Sequence, residues 1–206
     1  MNITYRAKGN IYLNITSRCP SDCAFCLAKF TDKVYGYDLK LAREPDLDEV
    51  LGGLELAFSE GPAAEVVFVG LGEPSVRLDL VLEVVRWCRP RRIRTRLVTN
   101  GHGQLINPER EVVRELALAG LNAVSISLVA HNPEVYNQVC RPLFSNGFSE
   151  AVRFAQECVS SGIETELTFI DLPEVDIEDC RNIAERTGAR FRLRPLIDED
   201  SKEVRA

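Results

Sequence analysis

Six short strand-like runs alternate with helix-patterned stretches along this chain, and that alternation restricts its fold more than any other feature. The runs are Ile11–Thr16, Val66–Val69, Ile93–Val98, Ala123–Leu128, Glu164–Ile170 and Arg190–Arg194. Val66-Val67-Phe68-Val69 is apolar throughout, as a parallel strand covered on both faces requires. Between the runs lie helix signals. Asp46 with Glu49 three residues on reads as a capping box, and Leu47, Val50, Leu51, Leu54 and Phe58 follow at helical spacing until Gly61-Pro62. Leu78–Cys88 reads as a helix ended by Pro90, Asn107-Pro108 as the start of one closed by Gly120, and Asn132-Pro133 as the start of a short one. Glu150–Ser160 and Asp176–Arg186 complete the set. Strands alternating with helices predict an α/β fold with a parallel sheet and right-handed crossovers. Six units are too few for a closed eight-stranded barrel. Residues 29–43 fit the pattern least, and a short extra strand is predicted around Val34–Leu41.

The 206 residues suit one domain, read as 1–206 with a cysteine loop at 17–30, a strand–helix core at 11–195 and a short tail at 196–206. Within that tail, Ile197-Asp198-Glu199-Asp200 reads as a solvated acidic stretch. No apolar run approaches the ~20 residues of a membrane helix. The opening Met-Asn-Ile-Thr-Tyr-Arg has no secretory pattern, so a cytoplasmic protein with no membrane partner is expected. A net charge of −6 argues against nucleic acid as the main partner. The basic run Arg89, Arg91, Arg92, Arg94 and Arg96 lacks interleaved aromatics and reads as a solvated or acid-paired patch away from the chemistry.

Cys19, Cys23 and Cys26 follow the first run in a C-x3-C-x2-C spacing. Three thiolates on one loop can hold three irons of a four-iron cluster and leave the fourth iron open. Zinc takes four ligands, commonly in paired C-x2-C units, and the two histidines, His102 and His131, are distant in sequence. Core filling suits a polar loop with Pro20 and Asp22 poorly, and cysteine clusters in reducing compartments more often bind metal than form disulfides. The spacing resembles the cluster loop of radical S-adenosylmethionine (SAM) enzymes. The resemblance implies a [4Fe-4S] cluster that binds SAM at its open iron and cleaves it reductively to methionine and a 5′-deoxyadenosyl radical. It also implies a six-unit, partly open (βα)6 barrel of the TIM type and an electron donor such as flavodoxin or ferredoxin.

Function in βα barrels gathers at the carboxyl ends of the strands, and the remaining motifs fall there. The resemblance places Phe25 beside the adenine; read alone, it is a loop anchor packing on the barrel. Gly70-Leu71-Gly72-Glu73-Pro74 resembles the family's Gly-Gly-Glu-Pro segment, with Leu71 a departure, and implies that Gly70, Gly72 and Glu73 meet the SAM amino group. Read alone, this is a glycine turn with an exposed acid. Asn100, in Thr99-Asn100-Gly101, would contact SAM, line the cavity or simply make a turn. Ser125 and Ser127 share a face opposite Val124, Ile126 and Leu128, so they are expected to point inward, with Ser127 near the ribose. Arg141 would pair with the SAM carboxylate, or else is a helix-end arginine paired with an acid. Asn14, Glu166 and Arg194 are candidate substrate contacts. Glu166 and Arg194 are expected to face each other across adjacent strands, unless those late strands turn their polar faces to solvent. Cys88, Cys158 and Cys180 read as small buried hydrophobes, whereas Cys140 could reach the cavity.

Over nearly its whole length the chain resembles the TatD-associated radical SAM proteins, through Tyr12–Thr16, the cysteine loop, Gly70–Ser75 and His131–Pro142. That resemblance implies association with a TatD-like hydrolase and names no reaction. Three functions stay open: hydrogen abstraction from a small polar metabolite, activation of a glycyl-radical enzyme, and a non-catalytic iron–sulfur or zinc-binding module.

Overall fold

The computed structural model describes residues 2–197 and 201, so the acidic residues 198–200 lie outside the described residues. From the N-terminus, β1 (Thr4–Ala7) and β2 (Asn10–Leu13) form a hairpin, and β3 (Lys33–Val34) and β4 (Tyr37–Asp38) form a second. Then come α1 (Leu47–Ser59), β5 (Val66–Phe68), α2 (Leu78–Cys88), β6 (Thr95–Thr99), α3 (Gly103–Ile106) and α4 (Val112–Ala119). β7 (Ala123–Val129), α5 (Pro133–Cys140), α6 (Gly147–Ser160), β8 (Glu164–Ile170), α7 (Ile177–Thr187) and β9 (Arg190–Arg194) complete the order. The main sheet runs β1-β2-β5-β6-β7-β8-β9. The strands from β2 to β9 in that sheet are parallel, as expected, and β1 is an antiparallel addition on the edge. The sheet curves around a central cavity without joining its two edge strands, which is a partial barrel.

Alternation along each strand sorts the side chains. Ile11, Leu13, Val66, Phe68, Leu97, Ile126 and Phe169 face outward and are fully buried beneath the helices. Opposite them lie Val50 and Leu54 of α1, Val81 and Val85 of α2, Leu116 of α4 and Phe154 of α6, all in one contiguous core. Each large side chain buried this way stabilises the fold by roughly 1.5–3 kcal/mol before entropy is counted. The intervening residues face the cavity and are mostly polar.

Local chemistry fixes most boundaries. Asp46 and Glu49 form the reciprocal capping box: Asp46 accepts from the Glu49 amide at 2.9 Å and Glu49 accepts from the Asp46 amide at 3.0 Å. Asn132 caps α5 through the Val135 amide at 2.8 Å, and Gly120 and Gly188 end α4 and α7 in left-handed conformation. One expectation fails. Asn107 opens no helix; its side-chain amide donates to the Ser75 and Gly103 carbonyls at 3.1 and 2.9 Å, so it closes α3, and α4 begins at Val112. The hairpins were also under-read. Both turn on two-residue loops, Lys8-Gly9 (φ 48° and 78°) and Tyr35-Gly36 (φ 51° and 80°), the pairs of positive φ that match hairpin twist. The extra strand expected around Val34–Leu41 is therefore a two-stranded hairpin. Tyr37 of that hairpin packs on Tyr5 with ring centres 5.2 Å apart.

Candidate functional site at the barrel interior

Inward-facing residues from every parallel strand of the main sheet enclose a cavity of about 650 Å³, within the usual size of small-molecule sites. Cys19, Cys23, Phe25 and Cys26 line it from the loop after β2. The loop is stitched to the segment that ends α5. The Asp22 amide donates to the Arg141 carbonyl at 3.1 Å, Ala24 to Val139 at 2.8 Å, and the Leu143 amide to Pro20 at 2.8 Å. Arg141 adopts a left-handed conformation (φ 45°) to present that carbonyl. Its side chain is exposed and is not among the cavity-lining residues, which corrects the expectation that it reaches into the site. Backbone, not guanidinium, is what this position contributes to the cysteine loop.

The cysteine sulfurs sit in an environment set by burial and by one another. Cys19 is exposed as a residue, yet its thiol faces the walled cavity, and loss of water pushes its pKa up to about 12. Desolvation likewise raises Cys26. Cys140, buried at the end of α5, also lines the cavity beside Cys23; their interaction lowers the Cys23 thiol and raises Cys140. A fourth sulfur thus stands against the three-cysteine loop, as the sequence left open. Cys88, Cys158 and Cys180 are fully buried in the helical layer, as expected. Among the described residues no three His, Cys, Asp or Glu side chains converge tightly enough to hold a single metal ion. That is not the convergence of a tetrahedral zinc site. Three cysteines of one loop on one cavity are the donor set of an iron–sulfur cluster, whose irons need separate ligands.

The glycines after β5 serve the chain itself. A Cβ on Gly72 would stand 2.5 Å from the Thr16 carbonyl and 2.7 Å from that of Arg18, and one on Gly70 would collide with the Asn14 side chain. These two positions let the loop lie directly on the chain leading to the cysteines, where the Glu73 amide donates to the Arg18 carbonyl at 2.9 Å. Glu73 is buried, not exposed as a bare turn would have it. Its carboxylate accepts from the Ser75 amide at 3.0 Å, the Thr99 hydroxyl at 2.8 Å and the Asn100 amide at 2.7 Å, fastening the loop after β5 to the end of β6, while its own amide holds the loop after β2. Burial pushes its pKa up, against those hydrogen bonds. Asn100 lines the cavity; its side-chain oxygen accepts from the His102 amide at 2.9 Å, and its Nδ2 is buried without a partner.

Behind the rim, fully buried His102 is bonded through Nε2 to the Tyr136 hydroxyl at 2.8 Å, and Tyr136 lines the cavity. Burial pulls the His102 pKa down to about 4. Neither residue was singled out from the sequence as part of the site. The spacing of Tyr136 and Cys140, one turn apart on α5, was the available signal.

Lower in the barrel the lining becomes charged. Ser125 and Ser127 point inward as expected, joined by Thr168. Glu166 also points inward, but its partners differ from the expected one. The register sets Glu166 beside Arg190 and Arg194 beside Ile170. Glu166 therefore pairs with Arg190 at 2.9 Å and Arg192 at 3.2 Å and accepts from Ser125 at 3.3 Å. Arg194 lines the cavity without meeting Glu166. Arg96 is acid-paired, one of the two expectations for the basic run, and it faces the interior, where it meets Glu65 at 2.7 Å and Ser125 at 3.1 Å. Asn14 is not part of the lining. It is fully buried, and its side-chain amide holds the Leu39 carbonyl at 2.8 Å and that of Asn2 at 3.3 Å, tying the second hairpin's exit and the N-terminus to β2.

Comparison with known proteins follows this geometry. A family model described as Radical SAM superfamily matches residues 13–187. A protein named "Probable GTP 3′,8-cyclase" from Thermococcus kodakarensis is 28% identical over 189 residues, covering 89% of this chain and 55% of that protein. Its namesake from Methanocaldococcus jannaschii is 25% identical over 179 residues, covering 84% and 55%. The chain thus spans about half the length of these curated relatives. Among solved structures, Streptococcus suis SuiB bound to S-adenosylmethionine superposes with a TM-score of 0.69 at 16% identity, covering 93% of this chain and 41% of that one. TYW1 with a lysine-pyruvate adduct bound superposes at 0.63 and 14% identity, covering 95% and 67%. At such identities the structures establish the shared fold.

Proposed function

The chain belongs to the radical SAM superfamily, an enzyme family that uses a [4Fe-4S] cluster and SAM, and from that premise we propose that it abstracts hydrogen from a small polar molecule held inside its barrel. The observation that carries this reading is a single cavity with the three-cysteine loop on its rim and a charged, hydrogen-bonding floor beneath. When bound, the cluster supplies the electron that splits SAM to methionine and a 5′-deoxyadenosyl radical. Cys19, Cys23 and Cys26 would hold the cluster. Phe25, the Gly70–Glu73 backbone, Asn100 and Ser127, all on the same cavity, would receive SAM, with Phe25 against the adenine and Ser127 toward the ribose. Glu73 acts indirectly on this reading, since its carboxylate is consumed in fastening the rim. The apolar wall of Val67, Val69 and Val98 keeps water and stray hydrogen donors away from the reacting centre.

A polar floor suits a metabolite better than a protein loop, which favours small-molecule chemistry over activation of a glycyl-radical enzyme. The name of these relatives makes GTP the first molecule to offer. A flavodoxin or ferredoxin would supply the electron, and a reducing cytoplasm would protect the cluster. Among the described residues no helix is long and apolar enough to cross a membrane. Association with a TatD-like hydrolase rests on the whole-chain resemblance, and co-purification with such a hydrolase tests it.

The experiment is anaerobic. Protein reconstituted with iron and sulfide, reduced and given SAM should yield 5′-deoxyadenosine by liquid chromatography, with faster production when the substrate is added. A fully loaded, reduced cluster that never cleaves SAM, with or without GTP and candidate metabolites, would instead indicate a binding module.

A further inference from the structure

The cavity wall carries more basic side chains than acidic ones. Five basic side chains line the cavity against three carboxylates, and one of those carboxylates, Glu73, is occupied in the rim. Arg96 is matched by Glu65. Arg190 and Arg192 share the single carboxylate of Glu166, with Arg190 also 3.7 Å from Glu164. Arg194 has no carboxylate partner among the described residues; it donates to the adjacent Pro195 carbonyl at 3.3 Å. A guanidinium has five N–H donors, so most of its bonding capacity is left for whatever enters the cavity.

Position makes this excess specific. Arg192 and Arg194 are alternate residues of β9, so they lie on one face of the strand about 7 Å apart. Like charges at that spacing, partly withdrawn from water, oppose each other; burial first and Arg192 second pull the Arg194 pKa down. An anion between them removes the repulsion and gains charge-assisted hydrogen bonds from two planar forks. Thr168, beside Arg192 on the neighbouring strand β8, offers a hydroxyl from the same wall.

We propose that Arg192 and Arg194 form an anion subsite on the barrel wall, and that the substrate carries a carboxylate or phosphate group that docks there while its reacting carbon faces the cysteine rim. Glu166 is then a positioning residue, holding Arg190 and Arg192 in place and setting how much positive charge remains for the ligand. This inference rests on the radical SAM reading for its substrate role and on β9 alone for the subsite.

The test measures binding and cleavage separately on one preparation. Cluster-reconstituted protein with SAM is titrated calorimetrically with pyrophosphate in one arm and malonate in the other, under anaerobic conditions. Saturable binding of either anion, at about one per chain, is expected, and the stronger arm identifies phosphate or carboxylate as the group read. Arg194→Gln and Arg192→Gln should each weaken it about tenfold or more, the loss of a charged hydrogen-bonding partner. Arg194→Lys, which keeps the charge without the fork, should lie between. Arg114→Gln removes a charge outside the cavity and should change affinity less than about twofold. Thermal unfolding of each variant separates lost binding from lost fold. Wild-type protein that cleaves SAM but binds neither anion saturably, or binding equal in wild type, Arg192→Gln and Arg194→Gln, overturns the subsite. Wild-type protein that binds an anion through these arginines but forms no 5′-deoxyadenosine overturns the proposed function and leaves the subsite standing.

Discussion

The rim and the floor of this barrel are held by different forces. On the rim, the loops after β2, β5 and β6 are joined by backbone hydrogen bonds, by glycines that permit direct chain-on-chain contact, and by one buried carboxylate that accepts three hydrogen bonds. On the floor, Glu65, Glu164 and Glu166 are laced to Arg94, Arg96, Arg190 and Arg192. The difference teaches where each end can tolerate change. Backbone-to-backbone fastening is indifferent to salt and leaves side chains such as the cysteines available to a cofactor. Ion-pair fastening responds to ionic strength and to any charged ligand, which suits a surface that must distinguish substrates.

The largest expected effect separates the chemistry of the rim from its architecture. Cys23→Ala should remove bound iron and sulfide and reduce 5′-deoxyadenosine to background. The apo protein should unfold within about 1 kcal/mol of wild type, because the substitution removes one sulfur from a half-buried loop side chain. Iron content and anaerobic product assays check the first part, and urea unfolding the second. A variant that kept a full cluster and normal cleavage would remove these cysteines from the site.

Next comes the support behind the rim. His102 is fully buried with a pKa near 4, against 6.5 for the unfolded imidazole. Between those values the unfolded chain takes up a proton that the folded chain refuses. Stability from this residue is therefore complete above about pH 6.5 and falls as the pH drops toward 4, by up to about 3 kcal/mol. Urea unfolding at pH 7 and pH 4.5 should show this loss, and His102→Phe should show a smaller one. An equal pH response in both proteins would mean that His102 protonates freely in the folded state.

Glu73→Gln tests the fastening itself. The amide has one acceptor oxygen where the carboxylate had two, and its NH₂ faces a backbone N–H. An unfolding loss of about 2 kcal/mol is expected, with cluster loading reduced as the loops separate. Unchanged stability would transfer the fastening role to the backbone contacts alone.

The sequence disclosed the parts of this molecule that local chemistry governs. The capping box at Asp46 and Glu49, the cap at Asn132 and the apolar run at Val66 each carry their cause within a few residues, and each is where it was expected. What stayed hidden depends on register or on long-range contact. Strand order alone brings Glu166 and Arg194 onto neighbouring strands, but a four-residue offset gives Glu166 to Arg190 instead. Asn14 alternates correctly to face inward, yet the chain leaves β2 at Leu13 and turns the amide toward Leu39. Arg141 lies beside the cluster loop as its motif suggests, while its left-handed backbone directs a carbonyl, not the guanidinium, at that loop. The hairpins were missed because lysine and tyrosine precede their glycines, in place of the asparagine or aspartate that usually announces such turns.

The smallest effect belongs to the floor and sharpens the contrast most. Glu65 accepts from Arg94 at 2.6 Å and from Arg96 at 2.7 and 3.1 Å, and those partners, Arg96 first, hold its pKa below the ordinary carboxylate value. Glu65→Gln removes the charge that both guanidiniums share. Arg96 keeps its bond to Ser125 and Arg94 keeps Glu164, so the network relaxes without collapsing, and a loss of about 1–2 kcal/mol is expected. That loss should shrink as salt is raised from low to molar concentrations, since ions screen the repulsion left between the arginines. The Glu73→Gln loss on the rim should not change with salt. If both losses responded to salt alike, the division between a backbone-fastened rim and a charge-fastened floor would fail. If only the floor responded, the same variant would also leave Arg96 free to strengthen anion binding, and pyrophosphate affinity in Glu65→Gln would rise above wild type.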